Sequence, residues 1–426
     1  MTLEAELAAV VGDGHLLTDP DLTAPYETDW TRRWSGRARA VVRPGSVDEV
    51  VGVLRACAGR RAPVVPQGGN TGLVGGGVPR GAGQVVLSTR RLARLDPVDT
   101  VAGQVTAGAG VTIGALQQHA AAVGWRYAVD LAARDSATVG GTIATNAGGL
   151  HVVAWGDTRA QVVGIEAVLA DGSVVSRLAG LAKDNAGYDL SGLLVGSEGT
   201  LAVVTAARLK LRPVPAEPPY VVLVGLPSVA AALPLLRQPG LTAAELMLRD
   251  GVALVCEIAG LPRPLRGDHA AYLLLECAGL PELPDGADAA VDQRLWDYRE
   301  RHPEAIAALG VPHKLDVSVP LGQVPAFLAE LPEAIGPHAT FVFGHLADGN
   351  LHVNVVGPEA ADDSVDEAVF RLVAAYGGSI SAEHGIGTAK ARWLELSRSA
   401  AEIAAMRRVK RALDPAGLLN PGVLLS

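Results

Sequence analysis

Two histidines flank an Asp-Gly pair in GHLADGNLHVN (344–354), and this arrangement limits the possible fold more than any other feature. Apolar residues on both sides predict two strands, and Asp348-Gly349 suits a two-residue hairpin turn with positive φ. A loop of those two residues would place His345 directly opposite His352, with Cβ atoms about 5 Å apart. The sequence therefore predicts two imidazoles on one face of a sheet.

Two imidazoles held in this way can bind one metal ion. Asn354 points to the same face in this prediction, because side chains alternate along a strand. A third ligand is available in SAEHG (381–385), where Glu383 and His384 are adjacent. The spacing favours a metal site over the alternative, which is a cross-strand histidine pair on a solvent-exposed sheet face.

The composition excludes several classes of protein. A length of 426 residues predicts two or three domains, and a net charge of −9 without a basic run argues against a nucleic-acid surface. The cysteines at positions 57, 256 and 277 form no CxxC pair, so neither a disulfide scaffold nor an iron–sulfur site is expected. The acidic N-terminus lacks a signal-peptide core and no segment suits a transmembrane span, so we expect a cytoplasmic protein.

Two glycine-rich segments lie in the first half of the chain. A strand at 63–67 leads into GGNTGLVGGG (68–77), whose backbone N–H groups can form a concave site for a pyrophosphate. The segment SATVGGTIATNAGG (136–149) can lie flat against a planar cofactor and hydrogen-bond its edge. Neither is the dinucleotide or P-loop motif. The alternative for the first segment is a flexible surface loop.

A proline-rich stretch, RPVPAEPP (212–219), is the predicted border between domains. It separates a cofactor-binding domain (1–214) from a second domain (215–399), which a C-terminal tail (400–426) follows. Strand-like and helical segments alternate in the second domain, including a helix predicted at 243–258. This pattern predicts an α+β sandwich in which helices cover one antiparallel sheet.

Six segments in this order resemble the FAD-linked oxidases and dehydrogenases of the vanillyl-alcohol-oxidase type. Within that group the chain is most similar to the D-2-hydroxyacid dehydrogenases, which act on D-lactate or D-2-hydroxyglutarate or form the flavin subunit of glycolate oxidase. The resemblance implies an α+β fold, with a two-part PCMH-type FAD-binding domain and an α+β cap domain. The segments are PQGGNTGLVGG (66–76), GGTIATNAGG (140–149), GSEGTL (196–201), GHLADGNLHVN (344–354), SAEHGIG (381–387) and LDPAGLLNPG (413–422).

The resemblance implies roles for several polar residues. His345, His352 and Glu383 match the family's ligands of a divalent metal, usually Zn²⁺. His384 matches the proposed catalytic base, although ligation of the metal by this histidine is an alternative.

Further matches concern the substrate and the cofactor. Arg299 and Lys314 match contacts to the substrate carboxylate, and Asn354 matches a further polar contact. For Arg299 the alternative is a surface helix position, and for Lys314 it is a local pair with Asp316. The FAD should be bound without a covalent link, because neither glycine-rich segment offers a matching His or Cys. The residues that match FAD contacts are Pro66, Gly68, Gly69, Asn70, Thr71, Gly72, Leu73, Ser136, Val139, Gly140, Gly141, Thr145, Asn146, Gly149, Gly199, Val203 and Asn420.

The implied activity is metal-assisted oxidation of a small D-2-hydroxyacid to the 2-oxoacid, with hydride passing to flavin N5. Electrons would then pass to a non-NAD acceptor: a quinone, a cytochrome, an electron-transfer flavoprotein or an iron–sulfur subunit. Pro303 stands about where dicarboxylate-using relatives have a threonine, which argues against a specific prediction of 2-hydroxyglutarate. The resemblance allows a homodimer and a peripheral membrane location.

Three alternatives stay open at this point. One is a flavin subunit that depends on its partners in a glycolate oxidase-type complex. Another is a non-redox FAD-dependent synthase of the same fold. The third is a zinc-binding interaction module without flavin.

Overall fold

The protein was analysed as a computed structural model that describes residues 1–81, 83–359 and 361–425. Its internal contacts divide the chain into two units. The first unit comprises Met1–Gly149, Gly156–Val214 and Glu383–Ser426, and the second comprises Leu150–Trp155 and Pro215–Ala382. The longer segment of the second unit thus begins within the proline-rich stretch, whereas the domain limits given above stay predictions.

Helices and strands are distributed over the whole described chain. The α-helices are α1 (Leu3–Val11), α2 (Pro20–Glu27), α3 (Val47–Gly59), α4 (Ile113–Ala121), α5 (Val139–Thr145), α6 (Val152–Trp155), α7 (Thr158–Gln161), α8 (Leu190–Leu194), α9 (Arg249–Ala259), α10 (Trp296–Glu300), α11 (His302–Ala307), α12 (Val324–Ile335), α13 (Ser364–Ala375) and α14 (Ala400–Leu413). The strands are β1 (Leu16–Leu17), β2 (Ala40–Val42), β3 (Val64–Gln67), β4 (Val85–Ser88), β5 (Gln104–Gly108), β6 (Trp125–Arg126), β7 (Val162–Leu169), β8 (Val174–Ser176), β9 (Ala202–Lys210), β10 (Arg212–Pro213), β11 (Tyr220–Leu226), β12 (Leu241–Leu248), β13 (Ala271–Cys277), β14 (Ala289–Val291), β15 (His313–Ser318), β16 (Ala339–His345) and β17 (Asn350–Val356). Short 3₁₀ helices cover Asp13–His15, Thr89–Arg91, Val229–Arg237, Gln293–Leu295, Leu321–Gln323, Leu346–Asp348 and Ala391–Leu396. Among the residues that the structure describes, no helix combines the length and the apolar character that a membrane span requires.

The first unit contains a four-stranded sheet with the order β1-β2-β4-β3, in which β2, β4 and β3 are parallel. Helix α3 begins at Ser46, whose hydroxyl accepts a hydrogen bond from the backbone N–H of Glu49. Apolar side chains of α1 and α3 share one core with this sheet. The C-terminal tail joins that core, because Val64 of β3 forms a parallel bridge with Leu419.

A second sheet of the first unit has the order β5-β9-β7-β8 and is antiparallel. Helices α4 and α5 share its core. The middle of segment 136–149 forms α5, and the contact of this segment with a planar cofactor stays a prediction. Thr138 caps this helix by accepting from Gly141, and Asn146 ends it in the left-handed conformation.

The second unit is built on a seven-stranded sheet with the order β14-β11-β13-β12-β16-β17-β15, in which every neighbouring pair is antiparallel. Side chains of α9, α10 and α11 share a core with one face of the sheet. Helix α13 contacts β15 and also contacts α12. One antiparallel sheet accompanied by helices agrees with the predicted α+β class.

Some predicted elements of this unit are correct and others are wrong. The strands predicted at 220–226 and 271–277 are β11 and β13. The helix predicted at 243–258 is wrong over its first half, which is β12, and α9 begins only at Arg249. Ala, Glu, Leu and Met favour helices, but pairing with β13 and β16 on both sides overrides that preference.

Candidate functional site

The hairpin of β16 and β17 has a longer loop than the sequence predicts. Phe343 pairs with His352, and the loop consists of the 3₁₀ helix Leu346–Asp348 followed by Gly349 at φ 67°. The predicted direct pairing of His345 with His352 is therefore wrong by two residues. A shift by two keeps each side chain on its face, so the rings still meet diagonally. Their centroids lie 5.2 Å apart at an interplanar angle of 86°.

Strand β12 brings a buried carboxylate to His345. Glu245 pairs with His345 across the sheet and is fully buried. Its Oε1 lies 2.5 Å from Nδ1 of His345, and its Oε2 lies 2.5 Å from Nε of Arg299. The sequence analysis missed Glu245, because a residue assigned to a helix has no defined partner in a sheet.

Its two partners keep Glu245 ionised. Burial by itself raises its pKa, but the electrostatic interactions and hydrogen bonds with His345 and Arg299 outweigh burial and lower the pKa to about 2. An ionised carboxylate only accepts hydrogen bonds, so Nδ1 of His345 is the donor. Nε2 is then the ring atom that can bind a metal, an arrangement common among metal-binding histidines.

His352 also faces a buried carboxylate. Its Nδ1 lies 3.5 Å from Oδ1 of Asp316, which is fully buried. Asp316 accepts further hydrogen bonds from Nδ2 of Asn350 at 2.9 Å and from the backbone N–H of Ala382 at 3.1 Å. Asp316 thereby fixes the chain immediately before Glu383. In the described part of the chain, Oδ1 of Asn350 is buried without a hydrogen-bond partner, which fits a site that receives a cation or a polar ligand.

Of the residues predicted to contact the substrate, Arg299 and Asn354 are buried and Lys314 is half-buried. Arg299 is 7% exposed and its guanidinium lies 4.6 Å from the centre of the Phe343 ring, so the alternative of a surface arginine is wrong. Lys314 pairs with Asn354 across β15 and β17, and burial lowers the pKa of its ammonium. Asn354 donates to backbone oxygens of its own hairpin. Its contact with a substrate stays a prediction.

Strand pairing places these groups on one side of the sheet, here called the polar face. It carries two histidines, three acidic or amide side chains and one lysine, contributed by four neighbouring strands: Glu245, His345, His352, Asn354, Asp316 and Lys314.

In the first unit the two glycine-rich segments meet. A Cβ added to Gly69 would lie 1.9 Å from the backbone oxygen of Ser136, and one added to Gly68 would lie 2.4 Å from Oγ1 of Thr138. Only glycine allows this approach. The two segments therefore pack directly against each other and are together called the cradle here, and the position of FAD along them stays a prediction.

Other glycines of this cradle serve the fold in the same way. A Cβ on Gly149, at φ 100°, would lie 2.0 Å from Asp130 O. One on Gly199, at φ 69°, would lie 3.2 Å from Pro66. Gly72 differs, because a Cβ added there meets no atom of the described residues within 4 Å. The exposed Gly72 is thus not required by packing in the ligand-free fold.

Three asparagines predicted to contact FAD have left-handed backbones, with φ of 56° at Asn70, 55° at Asn146 and 43° at Asn420. Their amides bind the protein itself: Asn70 donates to Thr28 O at 2.9 Å, and Asn146 donates to Asp157 at 2.7 Å. These side chains hold the loops in shape, and their FAD contacts stay predictions.

The remaining predicted FAD residues have varied surroundings. Val139 and Val203 are buried in the cores of the first unit, and a Cβ on Gly140 would lie 2.7 Å from Ala109. Thr145 donates to the backbone oxygen of Gly141. Thr71 and Leu73 lie on the partly exposed loop.

Asn420 connects the tail with two loops of the cradle. Its Nδ2 donates to Gly76 O at 2.9 Å and to Glu198 O at 2.8 Å. Its Oδ1 accepts from Nη2 of Arg80 at 2.7 Å. Burial lowers the pKa of Arg80 to about 10. Arg80 was not found from the sequence, since its partners are distant in the chain.

Glu198 anchors the loop that follows Glu383 and His384. Its buried carboxylate accepts the backbone N–H groups of Ile386 at 2.8 Å and Gly387 at 2.7 Å. Burial raises its pKa, against the effect of these hydrogen bonds. Oε1 of Glu383 accepts from the N–H of Gly149 at 3.4 Å. The joining of Glu383 to the two histidines, and the role of His384 as base, stay predictions.

Comparison with known protein families covers most of the sequence. Residues 38–177 match the FAD binding domain, and residues 217–424 match the C-terminal domain of FAD linked oxidases. Mitochondrial D-2-hydroxyglutarate dehydrogenase of Bos taurus is 37% identical over 99% of this chain and 84% of its own length. D-2-hydroxyglutarate dehydrogenase of Xanthomonas citri pv. viticola is 38% identical over 96% of this chain and 94% of its own. The enzyme of that name from Stutzerimonas stutzeri is 35% identical over 99% and 98%.

Solved structures share the fold at low sequence identity. p-Cresol methylhydroxylase with substrate bound has a TM-score of 0.78 at 17% identity and covers 99% of this chain and 95% of its own. 4-Ethylphenol oxidase from Gulosibacter chungangensis has a TM-score of 0.77 at 18% identity, with coverages of 99% and 96%. These matches confirm the predicted fold class.

Proposed function

Because this chain belongs to the family of FAD-linked oxidases that includes the D-2-hydroxyglutarate dehydrogenases, we propose that it oxidises a small D-2-hydroxyacid to the 2-oxoacid with the help of a divalent metal, Zn²⁺ in the first place. That the chain belongs to this family confirms the resemblance drawn from the six sequence segments. The protein is accordingly an FAD-dependent oxidoreductase.

One observation carries the metal-assisted part of the proposal. Two histidines lie together on the polar face, and each turns Nδ1 toward a buried carboxylate. Imidazole nitrogens oriented by carboxylates are a typical ligand set for Zn²⁺. In this proposal His345 and His352 bind the metal through Nε2, and Glu383 supplies the third ligand.

The remaining residues bind the substrate and remove its hydroxyl proton in this proposal. When bound, FAD supplies the hydride acceptor and the metal supplies a Lewis acid for the substrate hydroxyl. Arg299 and Lys314 hold the substrate carboxylate, which fixes the α-carbon in one orientation. His384 removes the hydroxyl proton, since an imidazole titrates near neutral pH.

The substrate is proposed as a class. The named relatives are D-2-hydroxyglutarate dehydrogenases. Pro303 is the second residue of α11 here, at about the position where the resemblance implies a threonine in dicarboxylate-using relatives. D-Lactate, D-2-hydroxyglutarate and glycolate are therefore the compounds to compare. We propose a non-NAD electron acceptor, since the sequence carries no nicotinamide-binding motif.

The test follows flavin absorbance under anaerobic conditions. We expect one or more of the three hydroxyacids to bleach the flavin of the purified protein. Removal of the metal with a chelator should abolish bleaching and leave FAD bound, and added Zn²⁺ should restore it. A flavoprotein that no D-2-hydroxyacid reduces would favour the non-redox synthase instead.

Two histidines, one a proposed metal ligand and the other not, provide the matched variants. His352→Ala should lose bound metal and turnover, whereas His338→Ala, a partly exposed histidine of the same unit, should retain both. Metal content is measured by atomic emission and turnover with an artificial electron acceptor. If His352→Ala keeps its metal stoichiometry, the proposed ligand set is wrong. If chelated enzyme keeps full turnover, metal assistance is wrong.

A further inference from the structure

We propose that Glu245 is a positioning residue that couples binding of the substrate carboxylate at Arg299 to binding of the metal at His345. This inference rests on the proposed function, because it assumes that Arg299 binds substrate and that His345 is a metal ligand. Glu245 itself is neither a proposed substrate contact nor a proposed metal ligand, and it acts through one residue of each kind.

The geometry makes Glu245 the common partner of the two residues. One oxygen lies 2.5 Å from Nδ1 of His345, and the other lies 2.5 Å from Nε of Arg299. The three side chains come from different elements: β12, β16 and α10. Glu245 is fully buried, so solvent does not screen the effect of one partner on the other.

A purely structural ion pair is a weaker explanation of this arrangement. Burying a carboxylate is costly, and an apolar triad of similar volume is often as stable or more stable. A carboxylate placed between a substrate-binding cation and a metal-binding imidazole has another use. It orients both groups, and its single negative charge is shared between them.

This sharing gives the coupling its sign. When a substrate carboxylate binds Arg299, the guanidinium divides its interaction between two anions. Glu245 then interacts more strongly with His345, and a more basic imidazole binds a metal more tightly. By thermodynamic reciprocity, metal at His345 tightens binding of the substrate by the same factor.

The experiment is a double-mutant cycle that measures Zn²⁺ affinity by competition with a chromophoric chelator. Glu245→Gln should weaken Zn²⁺ binding by about 10- to 100-fold, the usual effect of removing such a partner. Arg299→Gln removes no proposed ligand, yet it should tighten Zn²⁺ binding at least about threefold, because Glu245 then interacts with His345 alone. In the Glu245→Gln background, Arg299→Gln should have no further effect, since interacting residues are not additive.

Lys314→Gln is the matched control. Lys314 is the other proposed carboxylate contact, and it lies on β15, three strands away from β12. It should raise the KM for the hydroxyacid, and any effect on the Zn²⁺ affinity should be the same in the wild-type and Glu245→Gln backgrounds, because residues without shared partners act independently. FAD content and thermal unfolding are measured for every variant. If Glu245→Gln does not fold, Arg299→Lys serves instead, because it keeps the charge and loses the Nε–H donor.

The outcomes separate the two proposals. A wild-type protein that binds no Zn²⁺ through His345 overturns the proposed metal site and the coupling with it. A protein that binds Zn²⁺ normally, with an affinity that Arg299→Gln or Arg299→Lys leaves unchanged, overturns the coupling alone. Equal effects of Arg299→Gln in both backgrounds would also contradict the coupling, because Glu245 would then not mediate it.

Discussion

Lys314 occupies a half-buried position on β15, and burial disfavours its charged form. Because its pKa lies below that of an exposed lysine, it loses its proton earlier as pH rises. Only the ammonium form attracts a carboxylate. We therefore expect the KM for the hydroxyacid to rise with pH over a range that lies below the usual lysine pKa of about 10.4.

The control is Lys314→Arg, whose guanidinium stays protonated throughout this range. Its KM should not depend on pH there, although the absolute value can differ from wild type. Steady-state kinetics with buffers of constant ionic strength measure both. A wild-type KM that stays constant over this range would show that Lys314 does not bind the substrate.

Glu198 offers a second test with a single residue. In Glu198→Gln the amide NH₂ faces a backbone N–H of Ile386 or Gly387, so one buried donor loses its acceptor. Losing a hydrogen bond to a charged group costs about 1.5–3 kcal/mol. We expect a lower thermal midpoint and a lower kcat, because the anchored loop follows directly on Glu383 and His384.

Glu402→Gln is the matched control for this variant. Glu402 is exposed and belongs to the capping box of α14, so Glu402→Gln should lower the thermal midpoint less than Glu198→Gln does. Scanning calorimetry and turnover of the FAD-loaded proteins compare the two. Equal kcat values in Glu198→Gln and wild type would mean that the loop keeps its position without this carboxylate.

At the scale of elements, the hairpin and β12 show what local sequence can decide. Alternation in the hairpin placed both histidines on one face correctly, since that depends only on a period of two. The loop length was predicted wrongly, because Asp348-Gly349 suits both a two-residue turn and the end of a 3₁₀ helix. The strand β12 could not be recognised from Ala, Glu, Leu and Met residues, whose conformation here is set by neighbouring strands. Glu245 was missed for that reason.

The cradle of the first unit yields a prediction from two glycines of one loop. Gly69→Ala places its methyl group against the Ser136 carbonyl, so the two glycine-rich segments must separate. We expect loss of FAD together with a lower thermal midpoint of the apoprotein. Gly72→Ala has open space around its methyl group and should leave the apoprotein's midpoint unchanged.

FAD affinity then tells whether this loop approaches the cofactor. Fluorescence quenching of added FAD should show weaker binding in Gly72→Ala, because a methyl group on the exposed side keeps a ligand at a distance. Unchanged affinity in Gly72→Ala would place the pyrophosphate elsewhere in the cradle.

At the scale of the molecule, composition and the six motifs were sufficient for the family and the fold class, and the proline-rich stretch coincides with the passage of the chain into the second unit. The sequence did not predict that the chain passes back into the first unit at Glu383. It depends on contacts such as those of Glu198 with Ile386 and of Asn420 with Gly76, between residues that are far apart in sequence. Local sequence patterns do not predict such contacts.

The tail that bridges to Val64 has a consequence for biosynthesis. Leu418 O accepts from the N–H of Val64, and Asn420 N–H donates back to Val64 O. The edge of the first sheet is therefore completed by residues that lie far downstream in the chain. Because the segment Pro215–Ala382 of the second unit lies between these partners in the sequence, the ribosome must synthesise that segment before the flavin-binding unit can complete this edge.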